Sequence, residues 1–154
     1  MQNNDILRRI RYIFDLGDSQ MSALFALAGH KAGLSQIRNW LQKEDDPEYA
    51  PLSDTLLATF LNGLIVEKRG EKEGPKPVPE KRLTNNIVFM KLKIALNLKA
   101  EDVITILQSV GFNLSKHELS ALFRKPDHKH YRECKDQILR NFLMGMQKTY
   151  REKD

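Results

Sequence analysis

Apolar residues recur at helical spacing in four segments of the first 66 residues. Met21, Leu24, Phe25 and Ala28 stand at i, i+3, i+4 and i+7, which places them on one face of a helix. Similar faces are formed by Ile6, Ile10 and Ile13; by Ile37, Trp40 and Leu41; and by Leu57, Phe60, Leu61 and Leu64. No segment alternates apolar and polar residues as a half-buried strand does. The pattern therefore predicts four helices and an all-α fold.

Small polar residues and glycines mark the expected helix ends. The predicted N-caps are Asn4 for the first helix and Asp18 or Ser19 for the second, and the predicted stops are Gly17 and Gly29. We expect the third helix at about 35–43 and the start of the fourth near Ser53-Asp54.

The whole pattern occurs twice in the chain. A shift of 82 residues aligns residues 3–64 with 85–146 without a gap. The identical pairs include Asn3/Asn85, Asn4/Asn86, Gly29/Gly111, Lys43/Lys125, Asp45/Asp127, Tyr49/Tyr131, Asp54/Asp136, Leu57/Leu139, Phe60/Phe142, Leu61/Leu143 and Gly63/Gly145. A match of this length indicates an internal duplication. We therefore expect two copies of a four-helix unit in tandem, at 1–66 and 83–154.

The segment 67–82 between the copies is rich in Pro, Lys and Glu and contains Pro75-Lys76-Pro77-Val78-Pro79. Alternating prolines favour an extended spacer. A unit of about 62 residues buries only about 60% of the surface of its unfolded chain, so neither copy is expected to be comfortably stable alone. We predict that the copies pack against each other with pseudo-twofold symmetry.

Glycines stand inside both predicted fourth helices, at Gly63 and Gly145. A glycine in a helix interior costs about 1 kcal/mol relative to alanine. Its occurrence in both copies predicts that another backbone approaches the helix closely there.

Composition and charge narrow the classes of function. The 154 residues are 41% hydrophobic and 29% charged, as in an ordinary globular protein. No apolar run reaches the roughly 20 residues of a membrane span, and the start Met1-Gln2-Asn3-Asn4-Asp5 has no signal-peptide pattern. We expect a cytoplasmic protein that neither spans nor binds a membrane. Cys134 is the only cysteine, which excludes an intramolecular disulfide and a cysteine-based zinc cage.

The formal charge of +5 is unevenly distributed. Residues 1–66 hold 6 Lys/Arg against 8 Asp/Glu, whereas residues 83–154 hold 13 against 8. This basic surplus in the second copy suits an acidic or nucleic-acid partner, and it suits plain solubility equally well.

Both copies carry the pattern Lys-x-Asp-x3-Tyr-x4-Asp-x2-Leu-x2-Phe-Leu-x-Gly, at 43–63 and 125–145. With FLNGLIVEKRG closing the first copy and RKPDHKHYRECKDQILRNFLMG in the second, the chain resembles the bacterial YehS-like family, which is built from two copies of a domain of unknown function (1456). The resemblance covers nearly the whole chain. It implies the duplicated helical fold and a bacterial cytosolic setting, and it implies no activity.

The shared residues are interpreted first as determinants of the fold. Aspartates at the start of the fourth helix would cap it or hold the preceding loop, tyrosines would pin that loop, and the Leu/Phe/Leu set would be core. The residues assigned to this role are Asp54, Tyr49, Phe60, Gly63, Asp136, Tyr131, Phe142 and Gly145.

Catalysis and cofactor binding are not predicted. The chain has no glycine-rich phosphate loop, no His-Glu-x-x-His, no nucleophile elbow and no kinase motifs. The best metal candidates are His128, His130 and Cys134, but Lys129 and Arg132 between them disfavour a cation. The first copy has Asp46, Glu48 and Leu52 at the matching positions. We predict no metal site and no cofactor.

Two function classes stay open, and a protein-interaction or regulatory module without catalysis is the first. Small paired helical units form grooves for partner helices, and an exposed Trp40 or Phe112 would mark such a groove. The alternative is a nucleic-acid-binding protein that uses the helix-turn-helix-like segments 19–43 and 101–125. Its candidate contacts are Gln36, Arg38, Asn39, Lys116, Arg124, Lys125 and Arg132. The oligomeric state is left open.

Overall fold

The computed structural model describes residues 1–152, and within them every regular element is helical. The helices are α1, Asn3–Ile13; α2, Asp18–Leu27; α3, Leu34–Leu41; α4, Asp54–Arg69; α5, Asn85–Ala95; α6, Ala100–Gln108; α7, Lys116–Leu122; and α8, Asp136–Met146. A π-helical turn, Gln147–Arg151, continues α8. The predicted all-α class with a duplicated unit is confirmed.

The chain divides into two compact units, Met1–Leu83 and Thr84–Asp154. We call α1–α4 the first repeat and α5–α8 the second repeat. Helix α4 continues to Arg69, so three residues that were expected in the linker are helical. The reason is local, because Lys68 and Arg69 are good helix formers whose charge suits a helix C-terminus. Gly70 then ends the helix with φ +89°.

The expected N-caps of the first two helices are wrong. Gln2 is the N-cap of α1, and Asn4 lies inside the helix at 2% exposure. Gly17 is the N-cap of α2, where its N–H donates to Gln20 Oε1 at 2.7 Å. Asp18 is therefore the first residue of α2 and not its cap. Several polar residues lie near each helix start, and the local sequence does not show which of them caps the helix and which is buried.

The predicted end of the first helix is also wrong. Helix α1 ends at Ile13, and Asp15 takes the left-handed conformation with φ +52°. Its counterpart Asn97 does the same after α5, with φ +54°. Aspartate and asparagine tolerate this region better than other residues with a side chain. In both turns the N–H of the following residue bonds a carbonyl of the last helical turn. Leu16 N–H donates to Arg11 O at 3.0 Å, and Leu98 N–H donates to Lys93 O at 3.0 Å.

The glycine stop predicted for the second helix, Gly29, is present, and its counterpart Gly111 ends α6 in the same way. Gly29 and Gly111 have φ +86° and +77°. His30 N–H donates to Phe25 O at 3.0 Å, and Phe112 N–H donates to Leu107 O at 3.0 Å. These bonds satisfy carbonyls that the helix leaves free.

Each repeat has aromatic rings at the centre of its core. Phe60 on α4 packs on Phe25 of α2, with ring centroids 5.3 Å apart. Phe142 on α8 instead stacks on Phe89 of α5 at 4.3 Å. All four rings are fully buried. In the first repeat, the phenylalanine of the fourth helix therefore packs on the second helix, whereas in the second repeat it packs on the first helix of that repeat.

Both helix-interior glycines lie directly against a neighbouring backbone. A Cβ at Gly63 would stand 1.8 Å from Leu24 O, and one at Gly145 would stand 2.4 Å from Ile106 O. Contacts this short cannot be relieved by a side-chain rotation, because the opposing atom belongs to the main chain. Any side chain here must push α2 from α4, or α6 from α8.

We predict that Gly63→Ala lowers the free energy of unfolding by about 1–3 kcal/mol, the typical cost of overpacking a tight interface. Gly33→Ala is the control, since nothing lies within 4 Å of a Cβ there and its φ is −72°. Urea unfolding followed by circular dichroism measures both. An unchanged midpoint for Gly63→Ala would contradict the close packing of α2 on α4.

Candidate functional site

A buried asparagine in the first helix of each repeat holds the loop before the fourth helix. Asn4 Nδ2 donates to Trp40 O at 2.8 Å and to Ala50 O at 2.9 Å. Its Oδ1 accepts from Leu52 N–H at 3.0 Å. One side chain thus ties the end of α3 to two points of the loop 42–53.

The second repeat copies this arrangement almost atom for atom. Asn86 Nδ2 donates to Leu122 O at 2.9 Å and to Arg132 O at 2.8 Å, and its Oδ1 accepts from Cys134 N–H at 2.9 Å. The sequence-based interpretation missed this role, although the identity of Asn4 and Asn86 in the internal alignment was its signal. The loop 123–135 is therefore fixed in place by α5.

Asp54 and Asp136 do not cap the fourth helices, which corrects that part of the interpretation. The N-cap of α4 is Ser53, whose Oγ accepts from Leu56 N–H at 3.2 Å. Asp54 accepts from Asn3 Nδ2 at 2.7 Å and from Leu83 N–H at 2.9 Å. Asp136 accepts from Asn85 Nδ2, also at 2.7 Å. The two aspartates connect the fourth helix of each repeat to the first.

The tyrosines of the shared pattern lie in the same loops. Tyr49 Oη donates to Asn4 Oδ1 at 3.2 Å, and Tyr49 N–H donates to Asp46 O at 3.0 Å. Tyr131 is half-buried, and its N–H makes the equivalent bond to His128 O at 2.9 Å. Both tyrosines thus lie at the same turn of their loops.

The two loops have the same turn but different side chains. In the first, Glu48 N–H donates to Asp46 Oδ1 at 2.8 Å. In the second, His130 N–H donates to His128 Nδ1 at 3.0 Å. A histidine nitrogen takes the place of an aspartate oxygen, so the turn is kept while a negative charge disappears.

This exchange is part of a wider inversion of charge. We call residues 34–50 the acidic segment and residues 116–132 the basic segment. The acidic segment holds 2 Lys/Arg and 4 Asp/Glu, whereas the basic segment holds 5 Lys/Arg and 2 Asp/Glu. Formal charges of −2 and +3 therefore stand on matched segments of the two repeats.

In the first repeat, one of the three nucleic-acid candidates has its side chain paired. Arg38 Nε donates to Asp18 Oδ2 at 2.9 Å, which joins α3 to α2. Asn39 is half-buried, and its carbonyl accepts from Ala50 N–H at 3.1 Å. Gln36 is exposed.

In the second repeat, all four candidates are exposed and one of them is paired. Lys116 Nζ contacts Glu101 at 2.6 Å, and that hydrogen bond lowers the pKa of the Glu101 carboxyl. Arg124 and Lys125 form no ion pair within the described residues. Arg132 is exposed, and its backbone is held by Asn86. Two unpaired candidates, Arg124 and Lys125, therefore lie just beyond α7.

The connections between the second and third helices are long for a helix-turn-helix. They span 28–33 in the first repeat and 109–115 in the second, which is six and seven residues. The DNA-reading motif uses a turn of three to four residues. The geometry therefore does not favour insertion of α3 or α7 as a recognition helix.

An open cavity of about 710 Å³ lies beside α7 in the second repeat. Its lining comes from the ends of α5 and α7, the start of α6 and the loop after α7. The lining residues are Lys93, Ala100, Lys116, Leu119, Ser120, Phe123, Arg124, Lys125, Asp127 and His128. Lys93 Nζ lies 5.4 Å from the centre of the Phe123 ring, a cation–π distance that orders the ammonium at the wall.

The three weak metal candidates are not brought together. Cys134 is 1% exposed, at the core position that Leu52 fills in the first repeat. His128 and His130 are exposed, and His128 Nδ1 already accepts a backbone hydrogen bond. Within residues 1–152 no group of three or more His, Cys, Asp or Glu side chains is placed to hold a metal ion.

The repeats coincide with a known family. The family described as protein of unknown function (DUF1456) matches residues 3–70 and 85–152. The chain belongs to this family. It is also 46% identical over 147 residues to Uncharacterized protein YehS of Escherichia coli (strain K12), an alignment that spans 95% of this chain and 94% of that relative. No solved structure matches the chain.

The first DUF1456 match, 3–70, ends one residue after the last residue of α4, so the family's unit includes the whole of that helix. Among the described residues, no helix combines the length and apolar character needed to cross a membrane.

We predict that Asn86→Ala lowers the free energy of unfolding by at least about 2 kcal/mol. The change leaves several buried backbone groups without partners, each costing about 1–3 kcal/mol. Chemical denaturation measures the effect, with the exposed Asn113→Ala as the control. Equal stabilities of the two variants would remove the asparagine from its proposed role.

Burial raises the pKa of the Cys134 thiol from its ordinary 9.0 to about 12. The folded state therefore holds this proton more tightly than the unfolded state, and the resulting stability is complete below pH 9 and is lost as pH rises toward 12. We expect Cys134→Ala to remove up to about 1.4 kcal/mol per pH unit from the alkaline decline of stability. Denaturation series from about pH 8 to about pH 11 on both proteins give that difference, and parallel declines would contradict it.

Proposed function

We propose that this protein is a non-catalytic binding protein whose second repeat binds nucleic acid through its phosphate backbone. The supporting observation is the inversion of charge between the acidic and basic segments on one shared loop backbone. Since Asn86 holds this loop through backbone groups, the charged side chains of the basic segment are not needed for those contacts. Their charge is available for a partner of opposite sign.

Phosphates are the partner that this surface fits best. Arg124, Lys125 and Lys129 are exposed and have no carboxylate partner within the described residues, so they can approach an anion without first breaking an ion pair. Their loop is anchored by Asn86, which limits the ordering cost of binding. Cations on an anchored loop suit backbone contacts, which position a protein on nucleic acid without reading its sequence.

Base reading through a recognition helix is not part of the proposal. Helix α7 has only seven residues, and its connection to α6 has seven more. Lys116 at its start is paired with Glu101. These features favour binding that is sensitive to salt and tolerant of sequence.

A protein-interaction module is the second candidate, and the acidic segment of the first repeat favours it. Glu44, Asp45 and Glu48 are exposed there and would suit a basic partner. Trp40 argues against an apolar groove, because its side chain is 3% exposed and packs on Phe25 with ring centroids 5.4 Å apart. Phe112 is half-buried.

We predict that Arg124→Glu/Lys125→Glu weakens binding to a fluorescent DNA duplex by at least about tenfold at low salt. If each residue contacts one phosphate, the slope of log K against log salt falls by about 0.9 for each phosphate that is no longer neutralised. Fluorescence anisotropy between about 25 and about 200 mM salt, the range in which such interactions dominate, measures both quantities.

Lys125→Glu alone should also weaken binding, and Lys43→Glu is its matched control, since the two lysines occupy equivalent positions and the change in net charge is the same. We expect Lys43→Glu to bind like the unmodified protein. Equal weakening at both positions would reduce the effect to net charge, and no retention of DNA or RNA at low salt would end the proposal.

A further inference from the structure

The cavity of the second repeat exists where the first repeat has an ion pair. In the first repeat, Arg38 of α3 meets Asp18 at the start of α2, with Nε and Oδ2 2.9 Å apart. The equivalent residues of the second repeat are Ser120 and Ala100, and both line the cavity. Two side chains that bridge the helices are thus replaced by two smaller ones, which leaves space there, and the ion pair between these helices in the second repeat is instead that of Lys116 with Glu101.

The walls of this space have also become basic. Arg124, Lys116 and His128 line the cavity where the first repeat has Gln42, Leu34 and Asp46. Lys93 and Lys125 stand at the positions of Arg11 and Lys43, so these two positions are basic in both repeats. Asp127 is the one acidic residue among the lining residues.

Apolar groups form the inner surface of the cavity. Leu119 is 1% exposed and offers almost no surface to a ligand, whereas Phe123 is half-buried, with its ring held edge-on by Phe89 at 5.1 Å. Lys93 is ordered over the same ring. A ligand here meets positive charge at the rim and a hydrocarbon surface beneath it.

We propose that this cavity binds a nucleotide, with the phosphate among Lys93, Arg124 and Lys125 and the nucleoside against the ring of Phe123. The volume of about 710 Å³ lies within the range of about 300–1,000 Å³ typical of small-ligand sites. Inorganic phosphate alone would leave the apolar surface uncovered. The nucleotide comes either from solution or from the phosphorylated end of a strand, and in the second case the inference rests on the proposed function.

The test closes the cavity without changing the charge. Ala100→Asp/Ser120→Arg, which we call the filled variant, installs the ion pair of the first repeat in the second, and the added charges cancel. The matched control is Asp18→Ala/Arg38→Ser, which removes the pair from the first repeat. Thermal unfolding of each variant checks that it folds.

Calorimetry with adenosine 5′-monophosphate, adenosine and inorganic phosphate measures the site directly. We expect the unmodified protein to bind the nucleotide more tightly than either of its parts. The filled variant should bind the nucleotide at least tenfold more weakly, and Asp18→Ala/Arg38→Ser should bind it as the unmodified protein does. Unchanged affinity in the filled variant would overturn the proposal.

Single-stranded oligonucleotides with a 5′-phosphate or a 5′-hydroxyl distinguish the two sources. A preference for the phosphorylated strand that the filled variant no longer shows supports a strand end, and binding of the free nucleotide without that preference supports a ligand from solution. Equal competition by a polyglutamate peptide would show general attraction of anions and overturn the site.

The failures of the two proposals are separable. If the filled variant retains duplex binding and the unmodified protein ignores the nucleotide, the cavity proposal fails and the proposed function stands. If the nucleotide binds but no duplex does, the reverse holds. Should the filled variant not fold, chemical shifts of the unmodified protein decide: the nucleotide must move the signals of Ser120 and Phe123 and leave those of Arg38 and Leu41.

Discussion

One buried side-chain amide in each repeat determines how the surface loops are presented. Asn4 and Asn86 are almost fully buried, at 2% and 6% exposure, and each bonds three backbone groups of its repeat. A buried amide without these partners would be strongly unfavourable, so the loop can adopt only the conformation that supplies them. The loop backbone is thereby independent of the charges that it carries.

This independence explains how two copies of one fold can differ so much in surface charge. The turn at Asp46 recurs at His128 with a nitrogen as acceptor, and the neighbouring positions are free to change sign. The Asp18–Arg38 pair is likewise exchanged for Ala100 and Ser120, and a different pair, Lys116 with Glu101, joins the corresponding helices of the second repeat. Duplication has kept the scaffold and varied the surface.

The DUF1456 family matches the two repeats separately, at 3–70 and 85–152. Most residues that the two repeats share lie at the asparagine network, the helix ends, the core and the close contacts at Gly63 and Gly145. Among the shared residues of the second repeat, only Lys125 and Asp127 line the cavity. The other charged lining residues stand where the repeats differ or where one basic residue replaces another. The pattern common to both copies therefore points mainly to the fold and little to the ligand.

The sequence by itself determined the helical class, the 82-residue repeat, the glycine stops at Gly29 and Gly111 and the close approach at Gly63, because periodicity and glycine are local signals. Only the tertiary structure decided that Asn4 is a buried tie and not a cap, and that Asp15 follows the end of α1 in the left-handed conformation. It alone placed Ala100 and Ser120 in one cavity. Those roles depend on which distant part of the backbone a side chain contacts, and the local sequence pattern does not show which distant segments lie nearby.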